Sequence, residues 1–500
     1  MATRRGGYGI CVGCSGLRSC KMEGTLVFDF GTTALKTVLF DEHFRVIAKE
    51  SWEFAYLSPE TGRMECDPYQ YARAMFETGR EVLTKGSARR VAVTGQAETL
   101  IFIDAAGEAV GPAIVWLDDR AKEEARELQE KIPEEVFYAR TGNPGVDPVM
   151  PLAKLVWVKK HLPALDAAYK KALLLHDWVM YLLTGHICAE YSILSCSGYF
   201  DIRRKRYDAE LLGLAGINEA RLAEAMPSSA EIGGLTGAAA SMLGMTTGTP
   251  VSGGMLDQCA SAIGAGNTRA GMLTETTGTV LAIAATLPNF EPERMTAPVL
   301  CHGLKGRYLA LPYCPTAGIL LQWYRNTFLD GMDYVEIDRK ILSKGNWNEK
   351  LICLPHFCGK TAPRPNPAAM GTLVGLTLDT DQLDIARAIM EGVAFLLREN
   401  VDALAESGCT AERILSLGGG AKSALWGQIK ADVLGIPMKA PRIDESTALG
   451  CALGAAIATG EIDETAIPET EGEVYSPGER APLMAQKYTQ YRALERALGF

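Results

Sequence analysis

The chain has 500 residues, 47% of them hydrophobic, and 60 acidic against 50 basic side chains give it a formal net charge of −10. That length exceeds what one hydrophobic core usually supports and predicts two large domains. The acidic balance argues against nucleic acid or an anionic membrane as the main partner, while small anions held by local amides and a metal ion remain open.

Residues 1–23 contain Gly, Arg, Cys11, Cys14 and Cys20 but no apolar core, and they read as a disordered leader. The Cys11-x-x-Cys14 pair lacks the second pair or His cluster that a metal site needs. Met22, directly before the first β-rich run, is a candidate initiator. No secretory apolar region precedes it, and no stretch reaches the roughly 18 apolar residues of a bilayer span, so a cytoplasmic protein is expected. The remaining cysteines are scattered like reduced, buried thiols.

Two short β-rich runs, 26–30 and 37–40, flank Gly31-Thr32-Thr33 and predict a hairpin with hydroxyls at its tip. Such a tip suits phosphate. Gly31 lets backbone approach an anion, the threonines donate hydrogen bonds, and Asp29 can hold a hydrated Mg²⁺ nearby. An ordinary strand-and-turn is the competing reading.

Residues 91–104 read as strand, polar turn, strand, with 105–107 closing a hairpin; Gln96-Ala97-Glu98 then sits at a strand end, where α/β folds keep binding groups. Trp116 with Asp118 and Arg120 fits a sugar platform, or equally a core Trp followed by a helix N-cap at Asp118 or Asp119. Two apolar stretches, a helix beginning at Pro151 and the run 173–183 ending in Thr184-Gly185, read as structural. At 249–260 a strand runs into Gly253-Gly254, and Asp257 then stands at a helix start. There a carboxylate stays ionised and can accept a proton from an alcohol, although a plain N-cap acid is the commoner case.

Near the midpoint, 273–283 repeats the first hairpin: an extended run enters Thr277-Gly278-Thr279 and leaves as an apolar strand. Two such hairpins suggest two similar halves, each presenting one turn to a shared cleft. A surface loop is expected at 351–367 and a long helix at 381–407, where apolar residues keep the 3.6-residue period. Strand 414–417 enters Gly418-Gly419-Gly420, a turn on which a nucleoside could lie flat. A helix of small residues at 447–459 is expected to pack beneath that turn.

In order and spacing, Asp29-Phe-Gly-Thr-Thr, Trp116-x-Asp-x-Arg120, Pro151-x-x-Lys-Leu-x-Trp157, Gly253-Gly-Met-Leu-Asp-Gln258, Thr277-Gly-Thr279, Glu391-Gly-Val-Ala-Phe395 and Gly418-Gly-Gly-Ala-Lys-Ser423 resemble the FGGY carbohydrate kinases, from Gly24 to about Tyr491. The resemblance implies an α/β fold of two duplicated actin-like (ribonuclease H-like) ATPase domains around a central cleft. Their expected bounds are 24–270 for sugar binding and the catalytic base, and 271–485 for ATP, with 486–500 a C-terminal tail. It implies ATP and Mg²⁺ as cofactors and transfer of the γ-phosphate to a small sugar or polyol, and it is compatible with a homodimer. By position, Asp257 matches the base and Asp29 the acid at the metal-phosphate site. Thr32, Thr33, Thr277 and Gly278 match the phosphate turns, and Gly419, Gly420 and Ser423 the adenosine site. Gln96, Glu98, Trp116, Asp118 and Gln258 fall in the sugar-contacting segments.

The acceptor follows from departures. Glycerol kinases place an Arg where Ala97 stands and an aromatic where Val149 stands, so glycerol is not expected. The Met-His pair of xylulose kinases near Ala97 and Glu98 is also missing, yet 31–36 and the Trp116 segment look closer to that branch. A ketopentose such as xylulose is the expected acceptor. Ribulose, erythritol or glycerol kinases, and a sugar-sensing pseudokinase without transfer activity, are the alternatives. A chaperone-like reading lacks any peptide-binding segment after Gly460.

Overall fold

The computed structural model describes residues 23–293, 297–345, 347–467 and 470–500. Cys11, Cys14, Cys20 and Met22, in the segment read as a leader, lie outside the described residues, and residue 23 already begins the first strand.

Each half is built on one mixed sheet. The N-terminal sheet runs, in spatial order, Glu231–Gly234, Pro250–Leu256, Ser87–Gly95, Glu23–Phe30, Ala34–Phe40, Val46–Glu53. Glu23–Phe30 pairs antiparallel with the strand that follows it and parallel with Ser87–Gly95, which is parallel to Pro250–Leu256. The C-terminal sheet repeats the plan. Met272–Thr277 pairs antiparallel with Leu281–Leu287 and parallel with Arg413–Leu417, which is parallel to Met438–Pro441. Parallel strands sit at the centre and read as nearly unbroken apolar runs because helices cover both faces; Val91, Ala92 and Val93 are fully buried, as is Ile414. In both halves the hairpin tip, 31–33 or 278–280, stands at the same end of its sheet.

Two helices join the halves. Asp257–Ala265 leaves strand Pro250–Leu256 directly, and Ser446–Ala458 follows Met438–Pro441. They pack on each other so closely that a Cβ on Gly264 would lie 1.9 Å from the Ser446 carbonyl oxygen, and one on Gly450 1.8 Å from that of Ala260. Each helix also lies against the other half's hairpin: Asp257–Ala265 against Met272–Thr277 and Leu281–Leu287, and Ser446–Ala458 against Glu23–Phe30. The small-residue helix therefore packs across the domain interface and not beneath the triple-glycine turn, because only backbone-to-backbone approach needs so many residues without bulk.

Other expectations are refined. The long helix is Gln382–Glu406, capped by Asp381, whose carboxylate accepts from the Leu383 and Asp384 amides. In the segment read as strand, polar turn, strand, Ser87–Gly95 lies in the main sheet, whereas Leu100–Ile103 joins a separate four-stranded sheet with Lys171–Leu174, and the 105–107 turn folds the chain back so that Ile103 bridges Ala109 antiparallel. Gly253 and Gly254 lie inside strand Pro250–Leu256, at a register shift; Gly254 has φ of 56°, and a Cβ there would meet the Val93 carbonyl oxygen at 1.6 Å. Residues 486–500 are no loose tail. Up to residue 498 they belong to helix Ala481–Leu498, which buries Tyr491 and Glu495, the latter accepting from Lys360 Nζ at 2.8 Å. The ten described cysteines are free thiols and all but Cys358 and Cys196 are buried. No described helix is long and apolar enough to cross a membrane.

The helix crossing makes a stability prediction. Gly450→Ala should cost about 1–3 kcal/mol in a denaturant titration, the usual size of overpacking. Gly213→Ala, on a helix where an added Cβ meets nothing within 4 Å, should be neutral or slightly stabilising. Equal midpoints for the two variants would contradict the crossing.

Candidate active site

A cavity of about 770 Å³ opens between the halves. Its walls include Thr32, Gln96, Glu98, Trp116, Asp147, Val149, Asp257 and Gln258 from the N-terminal half, and Pro312, Tyr313 and the 361–365 loop from the C-terminal half. The sequence expectation of a loop at 351–367 thus holds in part: Ile352–Leu354 is a strand, and the residues after it form a cavity wall.

The wall is assembled by hydrogen bonds between segments. Thr99 Oγ1 donates to Gln96 Oε1 (3.0 Å) and accepts from the Trp116 amide (3.0 Å), while Trp116 Nε1 donates to Thr32 Oγ1 (3.2 Å). Gln96 Nε2 donates to the Gly31 carbonyl (3.3 Å). The first hairpin turn is thereby tied to the cavity wall at Gln96 and Trp116, which Thr99 links. Glu98 is a non-glycine residue at φ of 66°, which holds its side chain at the cavity against the ordinary backbone preference. Beneath it Lys154, fully buried, donates to the carbonyls of Val115 (2.9 Å), Glu98 (3.3 Å) and Trp116 (3.3 Å). Burial raises the Glu98 pKa and lowers that of Lys154, and their mutual attraction opposes both shifts.

Asp257 is the first residue of its helix and reaches the cavity. Burial pushes its carboxyl up to about 6, against a main-chain hydrogen bond from Gln258. Asp29, at the end of the first strand, is pushed up to about 7 by burial and then by the charge of Asp257, with Lys36 opposing. The Asp257 carboxylate therefore lies close enough to act on Asp29 within the same half. Gln258 lines a second, narrow gap as well, shared with Ser261, Thr274 and Thr276, so the start of this helix meets both the cavity and the second hairpin.

Other expected site residues are placed differently. Asp118 does not line the cavity: it is fully buried, and its carboxylate takes the Met64 amide (2.6 Å) and the Arg120 guanidinium (2.6 and 2.7 Å). It shapes the loop behind Trp116, and the helix that follows, Lys122–Gln129, has Ala121 and neither Asp118 nor Asp119 at its N-cap. Thr33 is exposed at the first turn. Thr277 is buried, and its hydroxyl donates to Glu275 Oε2 (2.7 Å) and accepts from Lys430 Nζ (2.8 Å), so that oxygen faces the domain interior. Gly278, half-buried, forms the turn beside it. Gly419 is exposed, whereas Gly420 is buried with a virtual Cβ 2.7 Å from Thr277 Cβ, so the triple-glycine turn rests on the second hairpin. Ser423 caps helix Ala424–Leu434 through the Trp426 amide (3.0 Å) and donates to Asp338 Oδ2 (2.6 Å). Its hydroxyl is used within the domain.

Sequence reading placed Lys154 in a family motif but gave it no part in the site, where it holds the loops behind the wall. A lysine on an apolar helix face is a visible anomaly, but only the fold shows which carbonyls it gathers. As for a metal ion, no group of three His, Cys, Asp or Glu side chains gathers among the described residues. Asp29 and Asp257 could hold one only together with water and phosphate oxygens, which is how Mg²⁺ is commonly bound beside a nucleotide.

The comparisons with known proteins match the two-domain fold. The profile of the FGGY family of carbohydrate kinases, N-terminal domain, matches residues 25–264, and that of the C-terminal domain matches 271–459. A gluconokinase of Bacillus subtilis is 26% identical over 90% of each chain. A glycerol kinase of Trichlorobacter lovleyi is 31% identical over 96% of this chain and 99% of its own. The crystal structure of xylulose kinase from Rhodospirillum rubrum superposes with a TM-score of 0.88 at 28% identity, over 95% of this chain and 98% of that one. The protein belongs to the FGGY family of carbohydrate kinases and is an ATP-dependent sugar kinase.

Proposed function

We propose that the acceptor is a small uncharged sugar, a ketopentose such as xylulose, and that Asp257 is the base that activates its hydroxyl. The observation that carries this is the character of the cavity. Its described walls bear the carboxylates of Glu98, Asp147 and Asp257 and the amides of Gln96, Asn143 and Gln258, with no Lys or Arg among the described lining residues. Acceptor-rich walls suit a polyhydroxylated neutral ligand; an aldonate would bring its own carboxylate against three others without a cation to meet it. Trp116 supplies an apolar face for a sugar ring or chain. Ala97 and Val149 are both at the wall, and neither offers the polar or aromatic contact that a three-carbon polyol would need.

Among the described residues, Asp257 alone both lines the cavity and acts on Asp29 in the first hairpin, which suits a group that takes a hydroxyl proton next to a phosphoryl donor. Transfer then depends on alignment and on charge stabilisation from the two turns. Mg²⁺, held through Asp29, would neutralise charge on the polyphosphate. Thr32, Thr33 and Gly278 would position phosphates, and Gly419 and Gly420 would support adenosine. Both acids are present, which disfavours a sensor without transfer activity.

An ADP-release assay with a panel of ketopentoses, aldonates and polyols should show the largest kcat/KM for a ketopentose; a best rate with gluconate overturns the acceptor assignment. Asp257→Asn should lose about 10²–10⁴-fold in kcat while binding both substrates. The pH profile gives a separate check. A base must be deprotonated to act, and burial raises the Asp257 pKa to about 6. The free-enzyme kcat/KM should therefore be full above that value and fall about tenfold per pH unit below it, an acidic limb that Asp257→Asn abolishes.

A further inference from the structure

Behind the second hairpin turn lies an ion pair that nothing above uses. Glu275 and Lys430 are both fully buried, 155 residues apart in sequence, with Lys430 Nζ 2.7 Å from Glu275 Oε1. The pair closes a ring through Thr277, whose hydroxyl donates to Glu275 Oε2 and accepts from Lys430, and Ser416 Oγ donates to the same carboxylate. Gly420 closes over Thr277 from the other side. Lys430 belongs to helix Ala424–Leu434, which begins at the end of the triple-glycine turn, while Glu275 and Thr277 belong to the hairpin strand. One buried ammonium thus ties the second hairpin to the helix that follows the triple-glycine turn.

We propose that Lys430 and Glu275 are positioning residues for ATP: they fix the Thr277-Gly278 turn relative to the Gly418–Gly420 turn so that both meet the nucleotide in one geometry. A buried ion pair is a weak source of stability, because replacing it with neutral groups of similar shape is often harmless to the fold. A fixed register between two binding turns is what such a pair can supply and a neutral replacement cannot. This inference rests on the nucleotide site being where Thr277 and Gly420 meet, and not on which sugar is the acceptor.

The test compares Glu275→Gln, Lys430→Met and the double variant with the wild type. Each single change strands a buried polar or charged partner and can fail to fold, whereas the double leaves no charge buried. Thr277→Val keeps the ion pair whole and removes only its link to the turn. For the folded double variant and for Thr277→Val, the nucleotide Kd by calorimetry and the KM for MgATP should weaken by about tenfold or more, with the acceptor KM within about threefold of wild type. Unchanged nucleotide affinity in either variant, or equal losses toward both substrates, would overturn the proposal. Because the calorimetric Kd needs no acceptor, an error in the acceptor assignment leaves this readout intact.

Discussion

The molecule depends on the place where helix Asp257–Ala265 meets helix Ser446–Ala458 with no side chain between them. Gly264 and Gly450 face carbonyl oxygens of the opposite helix, and a third glycine, Gly454, leaves room for Met255 and Ser229. Each helix is the continuation of a central parallel strand in its own half and rests on the hairpin of the other. The backbone contact therefore sets how far apart the two hairpin turns stand, and with them the width of the cleft. Ion pairs at the rim add little. Lys36 and Lys49 reach Glu445 at 3.3 and 2.9 Å from exposed positions, where solvent and salt screen them.

That same crossing puts Asp257 at the boundary between two environments. As the first residue of its helix it lies near the positive end of the helix dipole, which favours the carboxylate, yet burial outweighs this and raises its pKa. The result is an acid whose proton affinity lies close to neutral pH, where a base both ionises and accepts a proton usefully. Asp29 is raised further because Asp257 adds to its burial. Where the two carboxyls meet, a cation or a donor of protons is wanted.

Two fully buried lysines serve the two sides of this cleft in the same manner. Lys154 gathers carbonyls from the loops that carry Glu98 and Trp116, and Lys430 ties the second hairpin to the helix after the triple-glycine turn. Neither lines the described cavity. Placing the cation behind the wall leaves the wall itself acidic and amide-rich while holding its loops in one arrangement, which is the requirement for aligning a hydroxyl with a phosphoryl group.

What the sequence determined by itself was local. The β-rich runs around Gly31-Thr32-Thr33 and Thr277-Gly278 set two hairpins, Asp381 and the apolar period set the long helix, and Gly253 to Asp257 set an acid at a helix start, because turn chemistry and periodicity act over a few residues. The family motifs then extended this to the duplicated fold and to Thr32, Gln96, Glu98, Trp116, Asp257 and Gln258 of the cavity wall. Only the tertiary structure decided that Asp118 pairs with Arg120 and stays out of the cavity, that the Thr277 hydroxyl turns inward, and that the helix of small residues spans the two halves. The reason is physical: a polar side chain's role is fixed by which distant groups satisfy it once water is excluded, and spacing along the chain carries no record of those partners.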